Sequence, residues 1–130
     1  MAHQFKKHYT VEEARTLLPQ LRQWLEDLNR ARHRIAQLEQ RIDHVLSGGA
    51  DAGGENVNEH IRNLCVIKKN LERFQTLEIQ LKDLERGLID FPAIVAGREV
   101  FLCWEKDEDD IEYWHDLDTG YAGREKLPEA

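Results

Sequence analysis

The sequence is poor in cysteine, proline and methionine and has no long apolar run, and each shortage closes off a class of protein. Its two cysteines, Cys65 and Cys103, are too few for a disulfide framework, and both sit among apolar neighbours. They read as buried thiols of a protein in a reducing cytoplasm. No stretch approaches the length of a membrane span, and Met1-Ala2-His3-Gln4-Phe5-Lys6-Lys7 lacks the apolar segment of a secretory signal. The expectation is a cytoplasmic protein without membrane attachment. CxxC, HExxH, phosphate-loop, dinucleotide and Gly-x-Ser-x-Gly motifs are all missing.

A basic face is missing too. Residues 105–118 hold eight acids (Glu105, Asp107, Glu108, Asp109, Asp110, Glu112, Asp116, Asp118) against Lys106. That run accounts for the whole net charge of −7, and the rest of the chain is neutral. Such a distribution argues against nucleic-acid binding, which needs clustered cations. The acidic run reads either as a solvated turn that protects a strand edge or as an attachment point for a basic protein partner. It lacks the glycine and glutamate spacing of a calcium loop.

What the chain does have is helical periodicity. Ala14, Leu21, Leu28, Ile35 and Ile42 form one row at heptad spacing, and Leu17, Trp24, Ala31, Leu38 and Val45 form a second. These are the a and d positions of a long helix that packs on another. Thr10-Val11-Glu12-Glu13 is a capping box that starts it, and Pro19 lies inside without breaking the phase. Helix 1 is therefore assigned to 10–46, after an arm at 1–9. The glycine-rich stretch 47–57 is a flexible loop. Ile61, Leu64, Ile67, Leu71, Phe74, Leu77, Leu81 and Leu84 then predict helix 2 over 58–87, with Gly87 as its stop.

Residues 88–130 change character. Val100, Leu102 and Trp104 alternate with Phe101 and Cys103, and Ile111, Tyr113, His115 and Leu117 alternate with their neighbours, which predicts a β-hairpin around the acidic turn; 88–94, interrupted by Pro92, reads as an edge segment. The fold expected is mainly α: one domain over 1–130, a long antiparallel, coiled-coil-like helical hairpin carrying a small C-terminal antiparallel β-hairpin or meander. Leu18, Leu25 and Leu46 add a third apolar row to helix 1. One partner helix cannot cover so wide a stripe, so a homodimer forming a four-helix bundle is expected.

Two groups of residues carry chemistry. Asp83, Asp90, His115 and Asp118 combine imidazole and carboxylates of the kind that hold zinc, iron or manganese, although Asp90 can equally cap a turn and His115 sit on an ordinary strand. Arg98, Trp104, Tyr121 and Arg124 suit an anion or small-ligand pocket, guanidinium forks supplying bidentate recognition and rings supplying walls. Against that pocket, the tryptophans serve as core and Arg124 pairs with the acidic turn. Cys103, mid-strand, is expected to have a raised thiol pKa, and no residue is designated catalytic.

The segments Thr10-Val11-Glu12-Glu13-Ala14 with Leu17-Leu18-Pro19, Gly87-Leu88-Ile89-Asp90-Phe91-Pro92, Gly97-Arg98-Glu99-Val100-Phe101-Leu102-Cys103-Trp104, and Trp114-His115 with Asp118, Gly120-Tyr121 and Gly123-Arg124 resemble the bacterial domain-of-unknown-function family 2203 over nearly the whole chain. The resemblance implies a small bacterial cytosolic protein and transfers no activity. Two functions follow from the residues: a homo-oligomeric structural or interaction module, or a protein binding a divalent metal or small ligand around Asp90, His115 and Asp118.

Overall fold

The computed structural model describes residues 3–47 and 54–128. It contains two helices, α1 (Val11–Ser47) and α2 (Gly54–Thr76), and five strands: β1 (Gln80–Asp83), β2 (Leu88–Val95), β3 (Arg98–Glu105), β4 (Tyr113–Asp116) and β5 (Glu125–Lys126). The strands form one antiparallel sheet in the order β1-β2-β3-β4-β5. Among the described residues no helix is long and apolar enough to cross a membrane. Two compact units divide the chain, Met1–Arg22 with Arg73–Ala130 and Gln23–Glu72.

Helix α1 starts where its capping box requires. The Thr10 amide donates to Glu13 Oε1 at 3.0 Å, and the Glu13 amide donates to Thr10 Oγ1 at 3.1 Å, so two otherwise orphan donors are satisfied. Pro19 lies within the helix and faces solvent. Ala14, Leu21, Leu28, Ala31 and Leu38 of the two heptad rows are buried; Ile42 and Val45 fall outside the described side chains, as does Leu46.

Helix α2 is shorter than the periodicity implies, and the β-region is correspondingly larger than a hairpin. The helix ends at Thr76, and Glu78 follows with φ 57, a left-handed conformation that a helix cannot propagate. Leu81 is consequently a strand residue paired with Ile89, and Leu84 lies in the β1–β2 connection. Spacings of three and four continue across the reversal because side-chain pattern alone does not encode φ. The helix also begins at Gly54, inside the stretch expected as loop; residues 48–53 of that loop are outside the described residues.

Strands β2 and β3 form the centre of the sheet, paired without interruption from Leu88↔Glu105 to Val95↔Arg98. Their connection is the two-residue turn Ala96-Gly97, with φ 51 and 78. Positive φ at both positions is the hairpin geometry that matches strand twist. Pro92 is tolerated mid-strand because its carbonyl, and hence its missing N–H, faces away from β3. On that side the Tyr9 amide donates to the Pro92 carbonyl at 2.7 Å, and β1 reaches only as far as Asp90.

One face of the sheet carries Ile89, Phe91, Ala93, Val100, Leu102 and Trp104, all buried. In the same unit Ala14, Leu18 and Leu21 of α1 are buried too, and Arg22 stacks on Trp104 at 4.9 Å while its guanidinium donates to the Lys106 and Glu108 carbonyls. The opposite face carries Asp90, Phe101, Cys103, Tyr113 and His115.

Ala96 is the strained position of the central turn. Replacing it by Asn, which tolerates φ > 0, is expected to stabilise the protein by about 1 kcal/mol, about 3–5 °C in melting temperature. An unchanged or lower melting temperature would show that the turn stores no such strain.

Candidate metal centre

Strand register assembles the site. Asp90 on β2 lies directly opposite Cys103 on β3, and His115 on β4 lies opposite Phe101, one same-face step from Cys103. Cross-strand partners share a face, so a carboxylate, a thiol and an imidazole converge. Their ligand atoms all lie within 4.8 Å of one another. All three residues are buried: Asp90 is 3 % exposed, His115 2 % and Cys103 fully enclosed.

The geometry within this trio is unusual for a metal-free polar cluster. His115 Nδ1 lies 2.7 Å from the Asp116 carbonyl oxygen, which can only accept, so Nδ1 carries a proton. Nε2 then faces Asp90 Oδ1 at 3.0 Å. The two atoms are close but misaligned, and both are buried without a hydrogen-bond partner. Buried polar atoms left so are rare and costly. An imidazole whose outer nitrogen is fixed by a backbone carbonyl, with its inner nitrogen directed at a carboxylate and a thiol, is the usual arrangement of a metal-ligating histidine.

Protonation follows the burial. Asp90 is raised above the ordinary carboxylate range by desolvation, which outweighs the opposing pull of His115 and the Cys103 contact. Burial, reinforced by the Asp90 charge, pushes the Cys103 thiol up to about 12, although Arg124 draws it the other way. Arg124 Nη1 stands 3.9 Å from Cys103 Sγ. The guanidinium is fixed by a fork onto Glu108 at 3.1 and 2.9 Å and by the rings of Tyr113 and Tyr121, at 3.9 and 4.3 Å.

A second polar cluster lies on the same face nearer the β2–β3 turn. Glu99 accepts from the Gln4 and Phe5 amides at 2.7 and 3.0 Å, and its Oε2 meets His8 Nε2 at 2.7 Å. Burial alone would raise Glu99, but these hydrogen bonds overcome it and hold the carboxyl down to about 2. Phe5 packs edge-on against Phe101 at 5.4 Å, and Phe101 packs on His115 at 5.5 Å.

Of the residues read from sequence as metal ligands, Asp90 and His115 come together. Asp83, at the end of β1, accepts from the Arg86 amide, and Asp118 is exposed beyond β4; neither belongs to the gathered trio. The four residues read as a ligand pocket divide between the two faces. Arg98 stacks on Trp114 and pairs with Asp116, Trp104 is in the core with its indole N–H on the Glu108 carbonyl, and only Tyr121 and Arg124 touch. Cys103 was not among the residues read from sequence as ligands, and the register of β2 on β3 is what sets it beside Asp90. The acidic turn is partly neutralised in place: Glu105 by Arg86, Glu108 by Arg124 and Asp110 by Arg15.

The buried Asp90 and the half-buried Glu99 give opposite pH dependences. Asp90, raised when folded from 3.8, binds more protons in the folded than in the unfolded state, so the metal-free protein loses stability as pH rises above about 4. Glu99, lowered from 4.5 to about 2, contributes stability above pH 4.5 that disappears as pH falls toward 2. Melting temperatures against pH for the metal-free protein should show the alkaline loss removed by Asp90→Asn and the acid loss reduced by Glu99→Gln. Parallel curves for wild type and both variants would contradict this assignment.

No curated protein and no solved structure matches the chain. A family model does, over residues 7–127, which takes in both helices, the sheet, Asp90, Cys103 and His115. The chain belongs to the family described as uncharacterized conserved protein (DUF2203).

Proposed function

We propose that this protein binds a divalent transition-metal ion, zinc foremost, through Asp90, Cys103 and His115. The observation that carries the reading is the buried pair of His115 Nε2 and Asp90 Oδ1, 3.0 Å apart beside a thiol yet without a well-formed hydrogen bond. A cation gives both atoms a partner and cancels the two negative charges of carboxylate and thiolate. Mixed N, S and O donors suit zinc, whereas magnesium and calcium prefer oxygen alone. Tetrahedral bond lengths imply ligand separations of roughly 3.5 Å, between the 3.0 Å of His115 Nε2–Asp90 Oδ1 and the 4.8 Å within which all three ligand atoms lie. A thiol ligand also fits a reducing compartment, and on that ground we place the protein in the cytoplasm.

Protein purified under reducing, chelator-free conditions is expected to carry about one equivalent of metal. Cobalt substitution should give a thiolate-to-cobalt charge-transfer band that Cys103→Ala abolishes. Saturation at a hundredfold excess over Kd should stabilise by about 2.7 kcal/mol. Cys103→Ala or His115→Ala should weaken binding by more than the roughly 10–100-fold that loss of an outer hydrogen-bond partner costs. No bound metal, and no thermal shift with zinc, cobalt or manganese, would refute the proposal.

A second reading, self-association, rests on α2. Val57, Ile61, Leu64 and Leu71 are exposed, as is Val66, and the first four, with Lys68, follow the 4-3-4-3 spacing of a coiled-coil seam. The solvent-shielded residues of α2 are instead Asn70 and Phe74, with Asn56, Glu59, His60, Asn63, Ile67 and Arg73 half-buried. A helix that turns asparagines inward and leucines outward is suited to a second copy, in a bundle of hairpins. Leu18 and Leu25, the extra row expected to need a partner chain, are buried within the single chain, so the interface is assigned to α2. Ile61→Glu with Leu64→Glu should convert a dimer seen by sedimentation to monomer without loss of helicity; a wild-type monomer at micromolar concentration would refute this reading.

A further inference from the structure

The buried trio is enclosed, so an ion reaches it only if something on that face of the sheet moves. The N-terminal arm is the segment built for this. Residues 3–9 form no helix or strand and are held by hydrogen bonds and by the rings of Phe5 on Phe101 and Tyr9 on Phe91. The Tyr9 amide holds the Pro92 carbonyl and the Tyr9 hydroxyl the Leu77 carbonyl. The Lys6 amide donates to Glu78 Oε2 at 3.0 Å, and Gln4, Phe5 and His8 all converge on Glu99.

Between these anchors the arm is lifted off α1. A cleft of about 540 Å³ is lined by Lys6, Lys7 and His8 on the arm and Glu13, Thr16 and Leu17 on the helix. Beyond it Phe5 lies against Phe101, and Phe101 covers His115. Releasing Glu99 frees three arm residues together and removes the ring that holds Phe101 in place. The other side of the trio has no comparable release, because Arg124 is forked onto Glu108 and stacked on two tyrosines.

We propose that residues 3–9 are a strap, latched by the Glu99 carboxylate, whose opening admits a divalent metal ion to Asp90, Cys103 and His115. The identity of the ion rests on the metal-binding reading above; the strap itself does not, since its contacts with Glu99 and Phe101 involve no metal. Local opening of this kind sets access rates without changing the closed structure.

The test uses the full chain with the exposed Cys65 replaced by Ser, so that Cys103 is the only thiol. Metal-free protein is treated with iodoacetamide, and cobalt uptake is followed separately by its charge-transfer band. Glu99→Gln and Phe5→Ala, neither of which touches the trio, should each raise the Cys103 alkylation rate about tenfold, the value of one or two lost hydrogen bonds or a ring contact, at unchanged helicity. Cobalt uptake should accelerate by a similar factor with little change in Kd. Alkylation rates equal to the parent in both variants would overturn the strap. Absence of cobalt binding with accelerated alkylation would overturn the metal reading and leave the strap standing, so the two failures are distinguishable.

Discussion

The β2–β3 ladder is the constraint from which the site follows. Eight consecutive cross-strand pairs run from the turn at Ala96-Gly97 to Leu88 and Glu105. A slip of one residue would turn every side chain of one strand to the other face. Asp90 would then meet the apolar layer around Phe91 and Leu102, and Cys103 would lose its carboxylate partner. The apolar face pins the register: Ile89, Phe91, Val100, Leu102 and Trp104 leave no room for a charged group. The polar trio on the reverse is thus held in position by hydrophobic burial on the other side of the same strands.

Much of this was legible in residues whose effect is local. The capping box at Thr10 and Glu13 places the start of α1 because both bonds lie within one helical turn. The heptad rows fix its length for the same reason. The alternation from Arg98 to Trp104 reads directly as β3. Helix α2 was overextended because Leu77, Leu81 and Leu84 continue its spacing past Glu78, whose backbone reversal leaves no trace in a side-chain pattern.

The site was half legible. Asp90 and His115 were singled out as a carboxylate and an imidazole of the kind that share a divalent metal. Cys103 passed as core, since an apolar-looking thiol fits the alternation as well as a valine would. The missing signal was the turn. Counting five residues out from Val95 and from Arg98 reaches Asp90 and Cys103, but Ala-Gly is a poor signature for a turn that prefers Asn-Gly. Asp83 and Asp118 entered the reading by nearness along the chain, which strand geometry does not respect.

The simple order of the sheet bears on how the molecule comes together. Each strand pairs only with its neighbours in sequence, so the meander can zip up hairpin by hairpin with little loop-closure entropy. The Tyr9 amide on Pro92 and the Glu99 latch, by contrast, join opposite ends of the chain. A newly made sheet would therefore have Asp90, Cys103 and His115 side by side before the arm docks. On the proposed metal-binding reading, an ion could then be bound while the chain folds, before the arm docks, without waiting for any later opening.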